Sequence, residues 1–161
     1  MEIYVLRHGI AENVGPDGSD AKRALTPKGR QKLRQVLRLA RAAAMRPSLI
    51  LTSPLLRAVQ TAEVAAEVLA YQHELVQTPT LLPTASPHAL WQELRSHKNE
   101  RAPLLVGHEP SLSQMVGYLL GATELHIELK KAGLVRLDLE KFGTAPSGIL
   151  KWMLAPKLAS S

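Results

Sequence analysis

Four side chains in this sequence could do chemistry together: Arg7, His8, Arg57 and His108. Two carry permanent guanidinium forks that match phosphoryl oxygens bidentately, and two are imidazoles able to attack phosphorus or exchange protons. A phosphoryl group is the guest such a set suits. Its transfer asks a protein mainly to position the group and to stabilise charge on the equatorial oxygens. Two arginines and a protonated histidine could supply that charge in a pocket with no acidic partner, while a neutral histidine attacks. His8 is the candidate nucleophile, because it follows a rigid strand and Gly9 would let a substrate approach closely. A lone histidine at a strand end is ordinarily a hydrogen-bonded structural residue, so the combination of four carries the weight.

The elements that must position them are legible. Ile3-Tyr4-Val5-Leu6 is a short apolar run that reads as a buried central strand with Arg7 and His8 at its carboxyl end. Leu104-Leu105-Val106 followed by Gly107-His108 repeats the design. In open α/β sheets that edge is where ligands bind. Between them, Gly15 to Asp20 marks residues 10–23 as a loop, and Thr26-Pro27 announces a helix with Leu33, Val36, Leu37 and Ala40 on one face, running to about Ala44. Leu49-Ile50-Leu51 is a second strand, completing a βαβ unit with parallel pairing to the first expected. Ser53-Pro54 repeats the capping pattern, with Ser53 as N-cap, Pro54 as first helical residue, Arg57 in the first turn and Val59, Ala62, Ala66 and Leu69 as the buried stripe.

Residues 74–78 read as a third strand, 88–97 as a short helix, and a further helix carries Leu112, Met115 and Leu119. Two late strands follow at 134–139 and 149–154, with Val135, Leu137 and Leu139 on one face. The fold class expected is α/β: a single-domain three-layer sandwich with a mostly parallel central sheet, helices on both faces and no large cap insertion. Residues 1–158 are read as the domain and 159–161 as a frayed tail.

Composition bounds the function. The chain has 161 residues, 45% hydrophobic and 21% charged, values of a soluble globular domain. No run approaches the ~20 apolar residues of a membrane span, and with Met1-Glu2 leading straight into the first strand no signal peptide is expected. The absence of cysteine excludes disulfides, thiolate metal sites and cysteine nucleophiles, and a cytoplasmic location is expected. The net charge of +6 is concentrated in Lys28, Arg30, Lys32, Arg34, Arg38 and Arg41. With few aromatics to stack bases, these read as a solvated helix face, and neither a nucleic acid nor a membrane is expected as a partner. Nucleotide-cradle and zincin motifs are missing. A divalent cation at His8 and His108 would need Glu12, Asp20 or Glu109, and the neighbouring arginines would repel it, so no metal and no other cofactor is expected. His73, His88, His97 and His126 lie in polar or loop contexts and read as structural.

Four stretches carry a resemblance: Leu6-Arg7-His8-Gly9, Arg23-Ala24-Leu25-Thr26-Pro27-Lys28-Gly29, Thr52 to Ala62 around Ser53-Pro54-Leu55-Leu56-Arg57, and Val106-Gly107-His108-Glu109-Pro110. In this order and spacing they resemble the histidine phosphatase, or phosphoglycerate mutase-like, superfamily, and within it the SixA-type phosphohistidine phosphatases. The resemblance implies that His8 is transiently phosphorylated, that Arg7 and Arg57 hold the phosphoryl oxygens and that His108 completes the pocket. Arg23, on the loop before the first helix, is a further candidate for substrate contact, with Ser53 and Gly9.

Two departures from the superfamily pattern matter. Many relatives have a catalytic carboxylate after the third strand, where this chain reads Pro79-Thr80-Leu81-Leu82-Pro83-Thr84. A phosphohistidine substrate fits that lack, because its leaving group is an imidazole like the attacking one and needs a proton donor less than an alkoxide does. There is also no room between Arg57 and His108 for a cap, so the pocket should be open. The expected activity is a metal-independent phosphatase in signal transduction, acting on a phosphohistidine-bearing protein such as an HPt-like phosphorelay domain. The alternatives are a phosphatase for small phosphate esters and a non-catalytic phosphate-binding module. A monomer is compatible with all three.

Overall fold

The computed structural model describes residues 1–160. Its spine is β1 (Glu2–Arg7), in which Ile3 and Val5 point to one side and Tyr4 and Leu6 to the other, all four at most 1% exposed. A strand apolar on both faces demands a layer of helices on each, and the chain supplies them. The sheet order is β3-β2-β4-β1-β5-β6, with β2 (Leu49–Thr52), β3 (Val76–Gln77), β4 (Pro103–Gly107), β5 (Leu134–Leu139) and β6 (Gly148–Leu154). β1 runs parallel to β4, β4 to β2 and β2 to β3, whereas β5 is antiparallel to β1 and β6 to β5.

One face carries α1 (Pro27–Ala42) and α2 (Leu56–Leu69), whose Leu33, Val36, Leu37, Ala58, Ala62 and Ala65 pack on Tyr4, Leu6, Ile50, Leu104 and Val106. The other carries α3 (Pro87–Ser96) and α4 (Ser111–Leu119), with Trp91, Leu94, Leu112 and Met115 on Ile3, Val5, Leu51 and Leu105. Val135, Leu137 and Leu139 of β5 face this second layer together. Fully buried aliphatic side chains of this size each contribute about 1.5–3 kcal/mol of transfer free energy, which is what holds the two helical layers to the sheet. The fold is therefore the expected single-domain α/β sandwich, and no insertion stands between Arg57 and His108 beyond the rest of α2, β3, a 3-10 turn at Pro79–Leu81, α3 and β4. Among the described residues no helix is long and apolar enough to cross a membrane.

Several local expectations are corrected. β1 and β2 are parallel but not neighbours, because β4 lies between them and pairs with both. Ser53 does not cap α2. Its N–H still donates to the Val106 carbonyl at 3.0 Å as an extension of β2, so the helix begins three residues later with Leu55 at its cap. The buried stripe of α2 shifts accordingly to Ala58, Ala62, Ala65 and Leu69, leaving Val59 and Ala66 half-buried. α1 stops at Ala42, before the expected end at Ala44, which is left-handed at φ 64°. A short helix, α5 (Pro156–Ala159), ends the described chain. Ala159, assigned to the frayed tail, is its last residue, and Ser161 lies outside the described residues.

The entry into α1 shows why residue type matters at Gly29. A Cβ there would stand 2.1 Å from the Ile10 carbonyl oxygen. The same carbonyl accepts the Thr26 N–H at 2.9 Å, and the Thr26 hydroxyl caps α1 by accepting the Gly29 N–H at 2.9 Å. Only glycine lets α1 seat this closely on the segment that leaves β1.

Candidate active site

Strand register brings the four chemical side chains together. Arg7 is opposite Gly107 in the β1–β4 pair, and the His8 N–H donates to the Gly107 carbonyl at 3.0 Å, so His8 and His108 leave the sheet from adjacent strand ends. Their ring centroids are 5.1 Å apart. β2 ends one strand further along at Thr52 and Ser53, and Arg57 follows in the first turn of α2. His8, Arg57 and His108 are each at most 5% exposed.

His8 is fixed in one tautomer. Its Nδ1 lies 2.7 Å from the carbonyl oxygen of Gly9. A carbonyl can only accept, so Nδ1 carries the proton and Nε2 is left with its lone pair. Burial, with help from the Arg57, Arg7 and Lys131 charges, pulls the His8 pKa down to about 4, against the Gly9 hydrogen bond, which raises it. The imidazole is neutral at pH 7 and nucleophilic at Nε2.

His108 is also neutral. Burial first, then the proximity of His8 and Arg57, lowers its pKa to about 3. This corrects the expectation of a protonated histidine beside the arginines, since two cations and a dry environment oppose a third positive charge. His108 Nε2 meets the Ser53 hydroxyl at 2.7 Å, and the Ser53 oxygen also accepts the Leu55 N–H at 3.3 Å. His108 Nδ1, on the other side of the ring, is a buried atom with no partner among the described residues. Of the four buried side-chain polar atoms without a hydrogen-bond partner among the described residues, three belong to this site: Arg7 Nε, Arg57 Nε and His108 Nδ1. Leaving such groups unmatched costs about 1–3 kcal/mol each, so their concentration here marks a place built to receive an acceptor-rich group.

The arginines are held from behind. Arg7 Nη1 donates to the Leu129 carbonyl at 2.8 Å, and burial lowers the Arg7 pKa from its ordinary value. Arg57 Nη1 donates to the Asp20 backbone carbonyl at 3.0 Å and Nη2 to its carboxylate at 3.1 Å. The pocket was expected to contain no acidic partner, and Asp20 corrects that. Its carboxylate also accepts from Arg23 Nη1 at 2.8 Å, and this contact, followed by the Arg57 charge, holds its pKa below the usual carboxylate range. Arg23 therefore reaches the site's edge through Asp20, and its Nε is committed to the Glu12 carbonyl at 2.6 Å.

Gly9 also ties the strand end to α2. Its N–H donates to the Thr61 hydroxyl at 3.1 Å, and that hydroxyl donates to the Arg57 carbonyl at 2.7 Å. A Cβ on Gly9 would lie 3.2 Å from Leu25 Cδ2 and 3.4 Å from the Gly29 oxygen, so the segment leaving β1 packs tightly on Leu25 and the start of α1. Ser53, expected to bind substrate, faces His108. Asp20 and Thr61 are the residues sequence reading missed. A Thr at helical spacing of four from Arg57, and an acid among loop residues, offered no local signal.

Around the site, Glu109 accepts the Ser113 N–H at 2.9 Å and the Ser113 hydroxyl, and its charge acts on Arg7. The turn at residues 79–84 has no carboxylate of its own, but the fold brings Glu93 of α3 onto it, where it accepts from the Thr78 hydroxyl at 2.7 Å and from that of Thr80. No group of three or more His, Cys, Asp or Glu side chains capable of holding a metal occurs among the described residues. The arrangement can hold an anion between two guanidinium groups while presenting an unprotonated imidazole nitrogen to it.

Comparison with known proteins agrees with this geometry. Residues 3–81 match the model of the histidine phosphatase superfamily (branch 1). An uncharacterized protein of Picosynechococcus sp. is 37% identical over 140 residues, covering 85% of this chain and 84% of that protein. The solved structure of the protein histidine phosphatase SixA complexed with tungstate superposes with a TM-score of 0.87 at 24% identity, over 98% of this chain and 99% of that one. The alpha-ribazole phosphatase of Shigella flexneri shares the fold more distantly, with a TM-score of 0.73 at 16% identity over 97% of each chain. With the Arg7-His8-Gly9 stretch, Arg57 and His108 gathered at one edge of such a sheet, the chain belongs to the histidine phosphatase superfamily and is a phosphatase of that kind.

Proposed function

We propose that this phosphatase hydrolyses protein phosphohistidine through a phosphoenzyme on His8. The observation that carries the reading is the His8 Nδ1 contact with the Gly9 carbonyl, which leaves Nε2 unprotonated beside the two arginines. In the first step the Nε2 lone pair attacks phosphorus, the P–N bond to the substrate imidazole breaks, and that imidazole keeps the electron pair and takes up a proton. In the second, a water oxygen attacks the phosphorus on His8, the P–Nε2 bond breaks with its electron pair returning to Nε2, one water proton passes to the solvent and balances the one taken up in the first step, and phosphate leaves with the other. Arg7 and Arg57 hold the equatorial oxygens throughout, with His108 beside them. A dianionic phosphoryl group among them raises the proton affinity of His108, so that imidazole is able to gain charge as the reaction proceeds.

Two features support a protein substrate over a small ester. The chain has no cap between Arg57 and His108, so the site is open to a side chain projecting from a folded surface. The 79–84 turn brings no carboxylic acid of its own, which suits an imidazole leaving group. The test is phosphate release from a phosphohistidine-bearing protein and, in parallel, from an aryl phosphate, with wild type and His8→Ala in the presence of a chelator. Rapid phosphohistidine turnover lost in the variant is expected. Turnover of the aryl ester alone would reject the proposed substrate.

A further inference from the structure

Next to the phosphoryl centre is a second hollow of about 630 Å³, lined by Arg7, Ile10, Lys32, Lys130, Lys131 and the Ala155-Pro156-Lys157 turn. Arg7 is a wall of both, so whatever occupies the hollow is contiguous with the phosphoryl group. Its position is rigidly tied to the catalytic strand: the Ala132 N–H lies 3.1 Å from the Arg7 carbonyl and 3.0 Å from that of His8, and Leu129 accepts from Arg7 Nη1. Lys130 and Lys131, between these anchors, are thereby held at the site's rim. Lys32 of α1 and Lys157, in the first turn of α5, complete the lining, and α5 packs on α1.

The chemistry of the lining is one-sided. Ile10, Ala155 and Pro156 are apolar, every charged residue is a cation, and no acid contributes. Lys130 is paired with Glu128. Lys32, Lys131 and Lys157 have no acidic partner within salt-bridge distance among the described residues. Unpaired ammonium groups on flexible stems above an apolar floor suit carboxylates presented by an extended or helical segment, whose aliphatic parts can lie on Ile10 and Pro156.

We propose that this hollow is a docking subsite for acidic residues flanking the phosphorylated histidine of the substrate protein. It rests on the proposed phosphohistidine activity and adds a specificity to it: Lys32, Lys131 and Lys157 select a phosphoprotein with Asp or Glu beside its phosphohistidine. Because surface charges of one sign accelerate encounter and stabilise the docked complex, the gain appears in kcat/KM for the protein substrate and is absent for a small phosphorylated compound that cannot reach the hollow.

The experiment compares two phosphohistidine peptides, one flanked by Asp and Glu and the other by Asn and Gln, for wild type and for the double variant K32E/K157E, with free phosphohistidine as a third substrate. Wild type is expected to prefer the acidic peptide by about tenfold in kcat/KM, as a few partly exposed ion pairs would give. The double variant should lose that preference while hydrolysing free phosphohistidine at the wild-type rate. Equal rates on the two peptides in wild type, or a preference that survives in the double variant, overturn the subsite while leaving the phosphohistidine activity standing. A wild type that hydrolyses none of the three yet cleaves an aryl phosphate overturns the proposed activity and the subsite with it.

Discussion

The guanidinium of Arg57 is held at both ends of Asp20, by the backbone carbonyl at 3.0 Å and by the carboxylate at 3.1 Å. Arg57 is 5% exposed while the Asp20 side chain is 60% exposed, so a surface acid reaches inward to orient a buried cation. The carboxylate is largely solvated, which limits its contribution to a modest value. Asp20→Ala should lower stability by about 1 kcal/mol, seen as a fall in Tm of about 3 °C for a domain of this size, and Asp20→Asn should recover most of it by keeping the acceptor. Differential scanning calorimetry of the two variants checks this; equal losses would show that charge, not hydrogen bonding, is what matters.

The buried histidines make stability pH-dependent in a defined window. His8 and His108 bind protons in the unfolded chain with pKa near 6.5, but in the folded chain only near 4 and 3. Below pH 6.5 the unfolded state therefore holds more protons, and stability falls as pH falls from about 6.5 to about 4. The slope should approach ~2.7 kcal/mol per pH unit, two protons' worth, from these groups. Urea unfolding at a series of pH values measures it, and His108→Gln should roughly halve the contribution. A flat profile between pH 6.5 and 4.5 would contradict the neutral state of both rings.

Ser53→Ala removes the only partner of His108 Nε2 among the described residues and leaves that nitrogen unmatched. The expected cost is about 1–3 kcal/mol in stability. Turnover should also fall about tenfold, because the ring loses the contact that fixes its orientation. Steady-state kinetics of Ser53→Ala beside Ser53→Thr, which keeps the hydroxyl, separates lost hydrogen bonding from altered packing.

Gly29→Ala tests the seating of α1. A methyl group 2.1 Å from the Ile10 carbonyl oxygen cannot be accommodated without moving backbone. A loss of about 3 kcal/mol is expected, a fall in Tm of about 10 °C. An unchanged Tm would mean that the helix can shift freely against the segment leaving β1.

What the sequence made legible follows from the range of each signal. Arg7, His8 and His108 stand directly after apolar runs, so local pattern alone put them at strand ends, and the layered α/β fold followed from strands apolar on both faces. The neighbour of β1 was not legible in this way: nothing in Leu49-Ile50-Leu51 says that β4 will pair between it and β1. Ser53-Pro54 has the pattern of a helix start, but the Val106 carbonyl captures the Ser53 N–H and prolongs the strand, a tertiary contact outweighing a local preference. Asp20 and Thr61 were missed for the same reason. Their roles depend on partners 37 and 52 residues away in the chain. His108 protonation was misjudged because two arginines suggest a site that tolerates charge, whereas burial dominates.

The most direct test of the phosphoenzyme is to trap it. Wild type mixed with a protein carrying ³²P-phosphohistidine is quenched in alkali within the first turnover, digested and mapped. The expected result is an acid-labile, alkali-stable label on the peptide containing His8, attached at Nε2, and absent in His8→Ala. Phosphate released at full rate with no label on His8, or a label that persists in His8→Ala, would contradict attack by this imidazole.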